Sequence, residues 1–469
     1  MGNLIKNEII KVLKKKSFYV MLIIILGFII FTNALYKYVY SNNKPYDNSQ
    51  YISRLEEINK TLDLSNEDEA YEFIENKTEI EIYELTKDLD GDSWQYEIIN
   101  DKARTLIYNI NYYTYIEKDT YQEETAKTEY NEFLELMKLD DWKAFANKEL
   151  KELEETKNQG QFTDEHLEQE IEKINMRLKY NIEYGYNYKN SALDRYFEAK
   201  RIIKTLEKKE EKTYEQEQEY QNAKADFEKS KYVIENDKNI FDENNARGML
   251  LTVFLESGYG LFIILTVVLI SGAIVSEEFN KGTIKLLLVR PYSRIKILMA
   301  KFVVVLLTII ITMLIIAILQ LIIGGIFFGF SSLKTPVVEY NYKTETLIEI
   351  NIFKKVAMTA VEILPEYILL GTLAFSLSTI FTNSALAIIV SMVGYLVSNT
   401  INSLAIYYNV KWLKYFVTLN WDFTQFEYGK LAKMEGITST FSTAICIVYF
   451  AIMLITAITV FKKKNIKNI

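Results

Sequence analysis

One cysteine, one histidine and four prolines in 469 residues close off several kinds of chemistry before any pattern is sought. Cys446 stands alone within an apolar run, so no intrachain disulfide forms. With His166 as the single histidine, zinc sites of the HExxH kind have no ligand set, and a solvated side chain on a helix is its simplest role. A glutamate-based intramembrane protease, the enzyme that Glu277-Glu278 invites, fails on the same count. No GxxxxGK[ST] phosphate loop occurs, so the chain does not hold ATP in the P-loop manner. The sequence therefore offers no catalytic residue, no metal site and no cofactor of its own, and nothing in it points to nucleic acid.

Charge and apolar residues, in contrast, are plentiful and segregated. The net charge of -8 conceals two opposite halves. Residues 41–248 hold roughly 50 acidic and 30 basic residues, about -20, and the rest of the chain carries about +12. Acid in one block and base beside apolar runs is the partition expected if the acidic block lies outside the cell.

The apolar runs predict about six spans, because a hydrocarbon core of about 30 Å is crossed by about 20 helical residues. They are drawn at 18–40, 249–275, 299–330, 364–381, 385–407 and 441–461. Residues 1–16 read as an amphipathic elbow helix lying in the inner interface, with Leu4, Ile5, Ile9, Val12 and Leu13 opposed to lysines. A cleaved signal peptide is the competing reading, and the length of the run at 17–40 favours a retained span. Both chain ends are then cytoplasmic. Residues 41–248 read as an extracellular helical bundle, with helices at 141–156, 164–180, 191–209 and 213–238 and Thr163 as an N-cap. Residues 249–469 hold spans two to six, and an outer loop with Pro336 and a possible amphipathic helix precedes the fourth. The fold class is all-α: a polytopic membrane protein with an α-helical extracellular domain.

The short loop between the second and third spans is rich in Lys and Arg, which places it in the cytoplasm. Gly282 and Thr283 stop one helix and cap the next, Ile284 to Val289 is apolar, Pro291 ends it, and Ser293 caps the third span. Glu277, Glu278, Gly282, Thr283, Leu286, Leu287, Arg290, Pro291 and Arg294, together with Lys301, resemble the corresponding loop in the permease subunits of type-2 ABC exporters. The resemblance implies that residues near 282–291 form a coupling helix seated in a separate ATP-binding subunit, which carries the ATP and Mg. It also implies an assembly of two permeases, identical or sibling, with two ATPases in the plasma membrane. Glu277 and Glu278 read as contacts at the cytoplasmic end of the second span, with salt bridges to a partner, and ordinary interfacial charge is the competing reading.

Three acids suggest a pathway: Glu256 in the second span, and Glu362 and Glu366 four residues apart on the fourth, where a buried charge costs at least about 2.5 kcal/mol. The competing reading leaves Glu362 and Glu366 in the outer interface, before a span that starts later. The aromatic stretch 411–438, with Trp412, Phe416, Trp421, Phe423 and Phe426, suits a membrane interface. Family resemblance implies re-entrant helices there that seal the outer end. Gly185 among Tyr184, Tyr186 and Tyr188 reads as core or surface packing, with a sticky aromatic binding turn as the competing reading. The cargo expected is a peptide antibiotic, toxin or other amphipathic molecule. Alternatives are export of sodium or lipid-linked material, or a non-transporting sensor whose outer domain binds a ligand.

Overall fold

The computed structural model describes residues 1–41, 48–158, 165–241, 244–255, 257–284, 292–381 and 383–464. It divides into two compact units, one of residues 1–38, 211–221 and 242–469, the other of residues 39–210 and 222–241.

Among the described residues of the first unit, six helices are long and apolar enough to cross a membrane. They are apolar helix 1 (Lys16–Ser41), helix 2 (Ser257–Ala273, continued by Ser276–Asn280), helix 3 (Arg294–Phe328), helix 4 (Ile352–Ile380), helix 5 (Ser384–Tyr407) and helix 6 (Ser439–Lys463). Helix 2 is the most enclosed: Ile263, Ile264, Val267 and Val268 are buried among Val305 and Ile309 of helix 3 and Leu370, Ala374 and Phe375 of helix 4. Helices 1, 5 and 6 expose apolar side chains such as Ile23, Leu396 and Ile452, the surface that suits a lipid solvent.

Apolar side chains gain little from packing against one another in lipid, so polar pairs hold the spans in register. Asn33 and Gln320, both fully buried, exchange two amide hydrogen bonds of 3.1 Å. The Tyr259 hydroxyl donates to the same Gln320 carbonyl oxygen at 2.9 Å and lies 3.1 Å from Thr32 Oγ1. One cluster thus ties helices 1, 2 and 3.

Two expectations about this unit need correction. The apolar run from Met249 does not open the second span. Asn245 accepts from Gly248 N–H to start a separate helix, Ala246–Leu251, and a 3-10 turn Thr252–Phe254 ends it. At its head, buried Arg247 donates to the Pro336 carbonyl at 3.1 Å, which fixes this piece against the chain that leaves helix 3.

Before the fourth span, the expected loop and amphipathic helix are a β-hairpin. Strand β1 (Val337–Asn341) pairs antiparallel with β2 (Thr346–Ile350), Val337 opposite Ile350. Asn341 Oδ1 accepts from Lys343 and Thr344 N–H to form the turn, and β-branched Val337 and Val338 favour the pleat. Helix 4 then starts at Ile352, capped by Asn351, and runs through Pro365. The span drawn from Leu364 begins too late, because a proline inside an apolar helix is tolerated when neighbouring helices cover it.

The second unit is a helical bundle. It contains Ser49–Asn59, Glu67–Thr86, Trp94–Ile98, Arg104–Tyr112, Thr120–Lys138, Trp142–Asn158, Glu165–Tyr180 and Tyr188–Glu207, and most of Tyr214–Asn236. π-helical turns at Ile99–Ala103 and Tyr113–Glu117 interrupt it. Thr163 lies outside the described residues. The core is built on Ile82, Trp94, Ile107, Phe133, Phe145 and Ile174. Arg177, only 3% exposed, stacks on Tyr184 with its guanidinium carbon 3.7 Å from the ring centroid, and donates to Ile182 O and Asn190 Oδ1. Gly185 is needed there: at φ 90° a Cβ would lie 2.5 Å from the Asp92 carbonyl oxygen. Tyr184 is therefore core, and Tyr186 is exposed.

Candidate coupling site

The N-terminal helix, Gly2–Leu13, buries Leu4, Glu8 and Val12, one residue per turn along a single face. Lys6 is exposed on the opposite face, while Lys11 stands at the edge of the buried row and Lys14 follows the last turn. The acid in the middle of the buried row was not anticipated. Its spacing from Leu4 and Val12 is the signal: a carboxylate four residues from apolar side chains on either side faces the same way and needs a cation.

Lys301 of helix 3 supplies it. This lysine is 1% exposed, and its ammonium donates to Glu8 Oε2 at 2.7 Å and to Glu278 Oε1 at 3.2 Å. Lys11 donates to Glu8 Oε1 at 2.8 Å and Glu278 Oε1 at 2.7 Å, and Thr283 Oγ1 donates to the other oxygen of Glu278. Two carboxylates and two ammonium groups alternate, so the buried cluster is neutral overall. Burial works against the charge on Lys11, but bonds to Glu278 and Glu8 raise its pKa above the ordinary lysine value. Glu277 lies beside them, 2.8 Å from Lys15 and 3.6 Å from Lys281. Both acids thus find cations within the chain.

A break in helix 2 places Glu278. The chain turns between Ala273 and Ser276, and the freed N–H groups of Val275 and Ser276 donate to Ser378 Oγ of helix 4. Ser276 Oγ donates to the Gly272 carbonyl and to Ser384 Oγ, at the start of helix 5. The joint therefore touches the N-terminal helix and apolar helices 2, 3, 4 and 5. Gly282, at φ 68°, ends the helical turn, and Ile284 is fully buried. Leu286, Leu287, Arg290 and Pro291 lie outside the described residues. Past them Ser293 caps helix 3, and Arg294 donates to the carbonyls of Lys462 and Lys464 at the end of helix 6.

The other candidate residues are scattered. Glu256 lies outside the described residues. Glu362 and Glu366 sit inside helix 4, and Glu362 Oε2 is buried with no hydrogen-bond partner among the described residues. The aromatic stretch forms three 3-10 turns, Lys411–Tyr415, Val417–Leu419 and Phe423–Gly429. Its aromatics do not form one patch. Trp421 is buried against the main core, Phe423 and Phe426 meet edge to face at 5.8 Å, and Trp412 is 65% exposed. The residue that organises the stretch is Asn420, which donates to Lys414 O and Phe416 O at 2.7 Å and accepts from Ser442 Oγ at 2.8 Å. Among the described residues no group of His, Cys, Asp and Glu is placed to hold a metal ion.

Comparison with known proteins matches residues 220–467, just over half of the chain, to DUF2705, described as a protein of unknown function. Uncharacterized protein YhcI of Bacillus subtilis (strain 168) is 38% identical over 209 residues, which cover 45% of this chain and 65% of that protein. Uncharacterized membrane protein YdbK of the same organism is 31% identical over 200 residues, 43% of this chain and 76% of that protein. The match thus spans somewhat under two thirds of YhcI. No solved structure matches. The chain belongs to the DUF2705 family and, with six such helices, is a membrane protein.

Proposed function

We propose that this member of the DUF2705 family is the membrane-spanning permease of an ATP-driven exporter, with hydrolysis carried out by a separate ATPase. The observation that supports this most is the ion cluster of Glu8, Lys11, Glu278 and Lys301. It joins the N-terminal helix to helices 2 and 3 directly before the loop that resembles a coupling helix. A load applied by a partner to residues 285–291 would reach both helices that flank the loop, and through Ser276, Ser378 and Ser384 the next two. That is the mechanical requirement for turning ATP-driven closure of a partner into movement of spans.

In this reading the lysine-rich end is cytoplasmic, as the positive-inside rule requires, and both termini are inside. Residues 41–248 are then extracellular, and two permease copies assemble with two ATPases. The cargo is a peptide antibiotic, toxin or other amphipathic molecule, drawn by the acidic outer domain.

The test is affinity capture of the tagged, detergent-solubilised chain from its host, comparing wild type with Leu287→Asp. Recovery of a P-loop ATPase with wild type and its loss with the variant supports the reading. Stable wild-type protein that brings down no ATPase removes it and leaves the sensor.

A further inference from the structure

Between the N-terminal helix and the end of apolar helix 2 lies a cavity of about 700 Å³. That size is in the range that takes a small molecule or a lipid headgroup. Six lysines line it against three carboxylates, which leaves three positive charges over. Lys11 and Lys301 are committed to Glu8 and Glu278, and Lys15 and Lys281 share Glu277. The remaining two, Lys14 and Lys16, are exposed and have no carboxylate partner among the described residues.

The cavity is also amphipathic and lies where a membrane surface would be. Val12 and Ile274 give it apolar wall, and Lys16 and Ser17 begin helix 1. The next turns of that helix expose Tyr19, Val20 and Ile23. An occupant with a phosphate in the cavity can therefore lay acyl chains along the outside of helix 1. Basic recesses at the ends of membrane helices take anionic headgroups in this way, each lysine near the surface adding to the attraction.

We infer that this cavity binds the phosphate of an anionic phospholipid headgroup through Lys14 and Lys16. The inference requires that the apolar helices cross a bilayer, and is independent of whether the chain is an exporter.

Thermal unfolding of the full chain, purified in neutral detergent, tests it with three soluble probes. Dioctanoyl phosphatidylglycerol is expected to raise the unfolding midpoint saturably, while dioctanoyl phosphatidylcholine and glycerol phosphate over the same range leave it in place. Lys14→Gln/Lys16→Gln should keep the lipid-free midpoint and weaken the phosphatidylglycerol response at least about tenfold. Removing the same charge outside the cavity, with Lys462→Gln/Lys463→Gln, should leave the response intact. An equal response to the choline lipid, or a wild-type response from the Lys14/Lys16 variant, overturns the site. Glycerol phosphate saturating at the same concentration as the lipid would assign a soluble phosphate ligand and overturn the lipid assignment.

Discussion

The Lys301 ammonium lies 2.7 Å from the Glu8 carboxylate, a pair separated by 293 positions in the chain and closed off from solvent on both sides. Neither residue is an obvious partner in the sequence. Together they fix the N-terminal helix to the third apolar helix, and Glu278 brings in the second.

Removing one member of a buried ion cluster leaves the others uncompensated, which costs about 3 kcal/mol or more. Lys301→Met should lower the stability of the solubilised chain by about that amount, and adding Glu8→Gln should restore a large part of it. Denaturant midpoints of the two variants check this. A double variant no better than Lys301→Met would mean that the lysine acts mainly through packing.

The amide pair of Asn33 and Gln320 makes a prediction of smaller scale, because hydrogen bonds between membrane helices contribute about 1 kcal/mol or less. Gln320→Leu should cost about that, since it leaves the buried Asn33 amide only its bond to the Ile29 carbonyl, and adding Asn33→Leu should cost little more. A double-mutant cycle in detergent measures the coupling. Strictly additive losses would show that the two amides do not act as a pair.

Arg177 in the second unit is replaceable by neither a hydrocarbon nor a lysine. Its fork serves Ile182 O and Asn190 Oδ1 while its plane lies on Tyr184. Arg177→Lys should destabilise the unit by about 2 kcal/mol, read as faster proteolysis of the segment 165–207 in the intact chain. Protection equal to wild type would refute the role.

Glu81 gives a pH dependence. Burial raises its pKa above the ordinary value of 4.5, only partly countered by Lys77 at 4.0 Å. The folded state then holds the proton more tightly than the unfolded chain. Stability from this group is fully present below about pH 4.5 and is lost as pH rises through the folded value. Glu81→Gln should leave hydrogen exchange in the helix Glu67–Thr86 unchanged at low pH and slow it at neutral pH. Equal exchange rates at neutral pH would contradict the shift.

The sequence by itself determined the elements whose signal is local. Run length fixed six apolar helices, because about 20 uninterrupted apolar residues have few other solutions, and lysines at the ends of runs bounded them. Alternating charge and apolar residues made the insert helical, and Ser293 and Asn383 stand at helix starts where short polar residues cap best. Charge near Arg247 and Pro365 misled the drawn boundaries, because hydropathy averages over a window and does not register a buried arginine bonded to a carbonyl, or a proline covered by neighbouring helices. Only the tertiary structure decided which polar residues matter. Glu8 reads as one acid among lysines, Gln320 as a blemish in an apolar run, and Asn420 as a loop residue. Each makes at least one bond to a residue that the sequence does not place nearby, and at low dielectric an unpaired polar group is too costly for that pairing to be incidental.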